Sequence, residues 1–238
     1  MDEPRYAIYF VPPARSDLYR FGARFLGYDC YTGGDLGHPP DIGLGATAWE
    51  ELTREPRRYG FHATLKAPFR LLPPFTEPDL VAELDRFSAL PRASVSVEPT
   101  IRAIERFIAI VPRGASAAVD QLAADCVTAF DRFRRPLTPQ ERNRRVAAGG
   151  HARQIDENLD RWGYPFVFED FRFHMTLTGA IDARHHGPII ALVQAAFARV
   201  EDGRSLPITQ LVLTRQDAPA ARFRVVRAAK LAALHACG

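Results

Sequence analysis

The chain predicts an α+β molecule on a pseudo-twofold, bilobal plan, with antiparallel sheets lining a central cleft and helices outside. Three observations carry this expectation. A five-residue pattern occurs twice, as Phe61-His62-Ala63-Thr64-Leu65 and as Phe173-His174-Met175-Thr176-Leu177, with its histidines 112 positions apart. Each copy lies in an apolar run of strand-forming residues. The elements around each copy follow one order, β–α–loop–β–α–β–β, and the helices carry apolar stripes of helical period.

Arg5 to Val11 alternates and meets Pro12-Pro13, a strand and its stop. Ser16 caps a helix to Tyr28 with Leu18, Phe21, Phe25 and Leu26 on one side. Residues 31–56 are rich in Gly and Pro and read mostly as loop, with a helical turn at 46–52. Residues 59–66 form the first histidine strand. Thr76-Glu77-Pro78-Asp79 opens a helix to about Leu90 that buries Leu80, Val81, Leu84 and Phe87. Strands follow at 93–97 and 101–104. The pattern then restarts. Arg106 to Val111 before Pro112 echoes Arg5 to Val11 before Pro12. A helix at 117–133 presents Val119, Leu122, Cys126, Phe130 and Phe133. A polar insertion at about 134–165 precedes the second histidine strand at 172–178. A helix at 189–200 and strands at 208–214 and 223–227 close the chain. The whole reads as a single bilobal domain, 1–238, with repeat-like halves at about 5–104 and 106–229. Strands near the junction are expected to cross between lobes.

The bulk numbers exclude several classes. Hydrophobic residues at 47% and charged residues at 25% suit an ordinary globular protein. A net charge of +3 is too small to argue for nucleic acid by itself. Only Lys66 and Lys230 are lysines; the other basic residues are arginines. No stretch reaches the roughly 18–20 apolar residues of a membrane span. The first residues lack the basic-then-apolar order of a signal peptide, so a cytoplasmic protein is expected. Cys30, Cys126 and Cys237 are too sparse for a disulfide framework or a structural zinc site.

The duplicated pattern carries the chemistry. Side chains alternate faces along a strand, so His62 and Thr64 share one face while Phe61, Ala63 and Leu65 share the other. His174 and Thr176 do the same against Phe173, Met175 and Leu177. Two facing copies make a site with two proton-transfer groups and two hydroxyl donors, as a reaction needs when one group loses a proton and another gains one.

This pair of HxTL motifs on a duplicated α+β unit resembles the 2H phosphoesterase superfamily, which includes RNA 2′,3′-cyclic phosphodiesterases. A narrower resemblance covers most of the chain. It runs through Arg5-Tyr6-Ala7-Ile8-Tyr9-Phe10, Arg57 to Phe69, Leu137-Thr138-Pro139, Trp162-Gly163-Tyr164-Pro165-Phe166 and Phe171 to Gly179. These segments look like a branch linked to phosphonate metabolism, whose genes often neighbour those for carbon–phosphorus lyase. The resemblance implies an active, metal-independent phosphodiesterase without cofactors. One histidine acts as base and the other as acid, and Thr64 and Thr176 hold the non-bridging oxygens. Which histidine is the base stays open.

Outside the motifs the candidates are substrate-binding side chains. By alternation Lys66 falls on the His62/Thr64 face, where it either holds a phosphate or is a solvated strand end. Arg58 joins that face if the strand reaches back to it, and Tyr59 points the other way. The insertion carries Arg142, Arg144, Arg145, His151 and Arg153, either a wet helix face or a cationic lid over the cleft. Tyr164 either stacks on a ligand ring or packs beneath the insertion. His185-His186 mark a helix start, and His38 and His235 take no role.

The expected substrate is a small phosphate ester: a sugar or nucleotide cyclic phosphate, with a phosphorylated ribosyl cyclic phosphate favoured by the gene neighbourhood. Two alternatives stand beside it. An RNA-end 2′,3′-cyclic phosphodiesterase would need an extended basic, aromatic groove. A non-catalytic nucleotide- or protein-binding module would have been favoured by loss of a motif residue, and none is lost. Nucleic acid is therefore possible as a partner but not favoured, and no membrane partner is expected.

Overall fold

The computed structural model describes residues 3–39, 43–149, 153–200 and 205–234. Its framework is one seven-stranded antiparallel sheet. The strands are β1 (Arg5–Phe10), β4 (Ala63–Phe69), β6 (Pro99–Ile104), β7 (Phe107–Pro112), β8 (Met175–Thr176), β10 (Gln210–Gln216) and β11 (Arg224–Lys230). Their order is β11-β10-β1-β4-β8-β7-β6. Short ribbons join β2 (Tyr28–Asp29) to β3 (Gly34–Asp35), and β5 (Ser96–Val97) to β9 (Leu206–Pro207).

The two motif strands are neighbours at the middle, with Ala63 paired to Met175. The closing strands of each sequence half leave it: β6 lies beside β7, while β10 and β11 extend β1. A row of paired side chains runs across one face, from Phe10 to Ala63, Met175, Ile110 and Ile101. Phe10, Ala63, Met175 and Ile110 are fully buried, and Ile101 nearly so. Burying such a row is the main favourable term holding the sheet to its helices, each large apolar side chain contributing about 1.5–3 kcal/mol.

The helices are α1 (Asp17–Leu26), α2 (Ala46–Arg57), α3 (Glu77–Ser88), α4 (Ala117–Phe130), α5 (Pro139–Gly149), α6 (Arg153–Trp162) and α7 (His186–Phe197). Ser16 caps α1 by accepting from the Tyr19 amide, and Gly27 ends it in the left-handed region. Thr76 and Asp79 form a capping box at α3. α4 packs on β4, α3 on β10 and β11, and α7 on β6. None of the described helices is long and apolar enough to cross a membrane.

Three element assignments differ from the sequence expectation. Residues 46–57 form a full helix where mostly loop was expected. Trp49, Leu52, Thr53 and Pro56 lie on its buried side, and the proline sits near the C-terminal end. This helix satisfies the open end of α1: the Trp49 indole donates to the Phe25 carbonyl (2.6 Å) and Arg57 Nε to the Leu26 carbonyl (2.6 Å). The first motif strand begins at Ala63 rather than at residue 59, because Gly60 turns through a positive φ of 75°. The second shrinks to Met175–Thr176.

Gly22 on α1 positions the first motif directly. A Cβ built there would stand 2.1 Å from the Phe61 ring, the residue before His62. Gly22→Ala is therefore expected to destabilise the protein by about 1–3 kcal/mol through overpacking, outweighing the helix-propensity gain of about 1 kcal/mol. Urea unfolding measures the sign; a more stable variant would mean that α1 moves off Phe61 freely.

Candidate active site

The pairing of Ala63 with Met175 builds the site. Continuing an antiparallel register by one residue either way sets His62 opposite Thr176 and Thr64 opposite His174. All four share the face that Ala63 and Met175 turn away from. The histidines are thus diagonal neighbours, about 7–8 Å apart at the backbone, a separation that suits a group held between them. They line a cleft of about 310 Å³ together with Tyr9 and Tyr59.

Each histidine is oriented the same way. His62 Nδ1–H donates to the Gly60 carbonyl (2.9 Å), and His174 Nδ1–H to the Arg172 carbonyl (2.7 Å). A carbonyl only accepts, so Nδ1 carries the proton and Nε2 is the free nitrogen in each neutral ring. The Thr64 hydroxyl lies 3.1 Å from His62 Nε2. Gly60 aims the carbonyl for His62; a Cβ there would meet Cys30 Cβ at 2.7 Å, so the turn needs glycine on steric as well as dihedral grounds.

The two histidines differ in their surroundings. Tyr9 pairs with Thr64 across β1 and β4 and stacks on His62, ring centroids 3.8 Å apart. At the corresponding place beside Thr176 stands Ala109, and His174 has only the tilted Phe107 ring at 5.6 Å. Burial pulls the His62 pKa down to about 4 against its Gly60 bond, with His174 adding to the fall. Burial lowers His174 as well, against its Arg172 bond. Both rings are therefore neutral near pH 7.

The other expected binding residues divide. Arg145 reaches the cleft from α5 and donates to the carbonyls of Gly163 and Pro68. Tyr164 forms the wall beside it. Arg142 does not reach it: its guanidinium pairs with Asp160 (2.5 and 3.0 Å) and tethers α5 to α6. Lys66 is not on the histidine face. An extra residue in β4 after Thr64 breaks the alternation, setting Lys66 opposite Ile8 on the core side. Its side chain is 3% exposed, and its ammonium bonds Asp131 (2.7 Å) and the Val127 carbonyl (3.1 Å) beneath a neighbouring cavity of about 340 Å³. Burial lowers its pKa to about 8, with Asp131 opposing. Arg58 caps α2 instead of extending the strand and donates to the Pro219 carbonyl, at the rim of that cavity. Tyr59 turns into the cleft, its ring 6.1 Å from His62, because the segment before Ala63 is a turn rather than a strand.

Of the remaining candidates, Arg144 lines the neighbouring cavity. His151 and His235 lie outside the described residues, as does the Arg153 side chain. His38 bonds the Leu44 carbonyl, and His185 and His186 begin α7. Arg5 and Tyr9 were missed by sequence reasoning. The available signal was that Arg5, Ala7 and Tyr9 share a face of β1; which face required the register with β4. Among the described residues, no three His, Cys, Asp or Glu side chains form a group that would hold a metal ion.

Comparison with known proteins places this geometry. The profile of a family described as a protein of unknown function (DUF1045) matches residues 64–224. The chain belongs to the DUF1045 family. It is also 38% identical over 222 residues to a Janthinobacterium sp. (strain Marseille) protein named ribose 1,5-bisphosphate phosphokinase PhnN, covering 92% of this chain and 49% of that one. A Laribacter hongkongensis protein of the same name is 31% identical over 224 residues, covering 94% and 51%. This DUF1045 chain therefore spans about half the length of those relatives. Among solved structures, E. coli LigT complexed with 3′-AMP is 12% identical, covers 97% of this chain and 99% of that chain, and has a TM-score of 0.45. An Agrobacterium tumefaciens protein of unknown function is 13% identical, covers 95% and 85%, and has a TM-score of 0.43. The fold of this DUF1045 member is the α+β, antiparallel arrangement that the sequence implied, with the two motif strands adjacent at the middle of one continuous sheet.

The depressed His62 pKa has a consequence for stability. Between about pH 6.5 and 4 the unfolded chain binds a proton at this histidine that the native state refuses, so stability falls as pH drops through that window and levels off above it. Denaturant unfolding across pH 4–8 should show this slope, and His62→Ala should flatten it. An unchanged slope in the variant would mean that His62 is freely solvated.

Proposed function

We propose that this protein is a metal-independent phosphodiesterase that opens a cyclic phosphate on a small phosphorylated sugar or nucleotide. One observation carries the reading: the register around Ala63 and Met175 sets two imidazole Nε2 atoms and two threonine hydroxyls on one floor. A phosphodiester between them meets a base on one side and an acid on the other.

His62, held neutral by burial beneath the Tyr9 ring, is the base. Its Nε2 takes a proton from water as the water oxygen bonds to phosphorus. His174 serves in its protonated form. The bound anion restores the charge that burial alone opposes, and Nε2–H then protonates the alkoxide as the ring P–O bond breaks. Water is consumed, and the product is a phosphomonoester with a freed hydroxyl. Thr64 and Thr176 donate to the non-bridging oxygens, where charge accumulates.

The relatives' name supports a substrate class. Water opening a 1,2-cyclic phosphate on ribose 5-phosphate gives ribose 1,5-bisphosphate, the compound in that name. On this reading the reaction supplies the substrate of a ribose 1,5-bisphosphate kinase and belongs to phosphonate metabolism, a role that the relatives' name supports. A second reading, a nucleoside 2′,3′-cyclic phosphate at an RNA end, draws support from an apolar hollow of about 330 Å³ beyond His174, where Phe107, Tyr164 and Phe166 would flank a base.

A screen of cyclic phosphodiesters with chromatographic detection tests the activity. His62→Ala and His174→Ala are each expected to lose about 10²–10⁴-fold in kcat with the fold intact, and the double variant much less than the product of the two losses. A single variant with near-full turnover would sink the two-histidine mechanism. The pH profile of kcat/KM should be bell-shaped, and activity should survive EDTA; loss on chelation would point to a metal-dependent reaction instead.

A further inference from the structure

We propose that the cleft contains a second anion subsite, floored by the Tyr9 hydroxyl and walled by the Arg5 and Arg145 guanidinium groups, so that the substrate carries a phosphomonoester besides the phosphodiester under attack. The reacting end of this substrate rests on the reading above; the subsite itself rests on separate observations.

The first is an orphaned donor. Tyr9 is fully buried and lines the histidine cleft, yet its hydroxyl has no hydrogen-bond partner. Buried hydroxyls rarely go unpaired, because water is lost without replacement. A ligand oxygen is the missing acceptor.

The second is two uncompensated cations. Arg5 donates Nε and one terminal nitrogen to Gln216 Oε1, at 2.7 and 2.5 Å, and its guanidinium lies 5.6 Å from the Phe223 ring centre. Among the described residues Arg145 bonds the Gly163 and Pro68 carbonyls. Among the described residues neither makes an ion pair. Neutral acceptors leave both charges standing in a partly desolvated place, where like charges repel. Burial depresses Arg145, and the Arg5 charge deepens the effect.

The third is position. Arg5 and Arg145 border both the histidine cleft and an adjoining cavity of about 340 Å³. The adjoining walls add Arg70, Arg134 and Arg135, but these are paired with Glu141, Asp131 and Glu3. Among the described residues the lining cations without an ion pair are therefore Arg5 and Arg145 at the junction and Arg144 on the adjoining wall. Arg5 stands four residues from Tyr9 along a regular strand, about 13 Å at the backbone. Guanidinium forks suit a phosphate dianion, whose several oxygens can serve Arg5, Arg145 and Tyr9 together.

Two measurements on the full chain test this. One compares kcat/KM for uridine 2′,3′-cyclic phosphate with that for its 5′-phosphorylated form, which differ only by the monoester. The other titrates ribose 5-phosphate and ribose calorimetrically. In the unmodified protein the 5′-phosphate should raise kcat/KM by roughly tenfold to hundredfold, and ribose 5-phosphate should bind where ribose does not. Arg5→Gln and Arg145→Gln should each bring the substrate ratio close to one and weaken ribose 5-phosphate at least tenfold. Tyr9→Phe should reduce the ratio severalfold, and thermal melts confirm that each variant is folded. Variants that keep the wild-type ratio and affinity, or a wild-type protein that binds ribose and ribose 5-phosphate alike, overturn the subsite. If no cyclic diester is hydrolysed but ribose 5-phosphate binds through Arg5 and Arg145, the subsite stands and the phosphodiesterase reading fails. If histidine variants abolish turnover while arginine variants behave as wild type, the reverse holds.

Discussion

The pairing of Ala63 with Met175 at the centre of the sheet is the constraint on which the site depends. In an antiparallel ladder the residues flanking a pair fall opposite one another on the other face. One backbone register therefore decides that His62 meets Thr176 and Thr64 meets His174. The core side of the same pair continues into Phe10 and Ile110, so a slip of one residue would expose that apolar row and bury both histidines. Core packing and site geometry enforce each other.

The electrostatics of the cleft follow from how this floor is enclosed. Tyr9 covers His62 with an aromatic face, and Ala109 leaves His174 more open. A molecule built from two like motifs thereby obtains two unlike histidines, and acid–base chemistry needs that difference. Around them the positive charge is arginine. The buried lysine is withdrawn beneath the neighbouring cavity and satisfied by Asp131, where it holds β4 to the end of α4. The bulge after Thr64 serves both ends: it turns Lys66 into the core and leaves Ala67 and Pro68 along the cleft.

The insertion is joined to this framework at its edges. Glu141 of α5 pairs with Arg70 at the end of β4, and Arg134 bridges Asp131 to the Arg161 carbonyl at the end of α6. These contacts carry Arg145 and Tyr164 to the cleft wall while Arg142 is used to hold the two helices together. Among the insertion's arginines, position along the helix rather than residue type decides which one meets the site.

Much of this was legible in the chain. Two His-x-Thr patterns in apolar runs determine two strands with a polar and a buried face, because alternation is a property of the backbone alone. The helix at 17–26 was readable from its serine cap and apolar stripe, and the helix at 77–88 from Thr76 and Asp79. The helix at 46–57 was obscured by the glycines before it and by Pro56, and its stability comes from contacts with the end of α1. Strand alternation placed His62 and Thr64 correctly but misplaced Lys66, since a bulge arises from pairing with β1 and leaves no local mark. Arg5 and Tyr9 belong to the site for the same reason. The sequence determined which side chains each motif sets on its polar face and which on its buried face. The tertiary structure alone decided how the motifs face each other and which cations join them, because register, bulges and burial are relations between segments far apart in the chain.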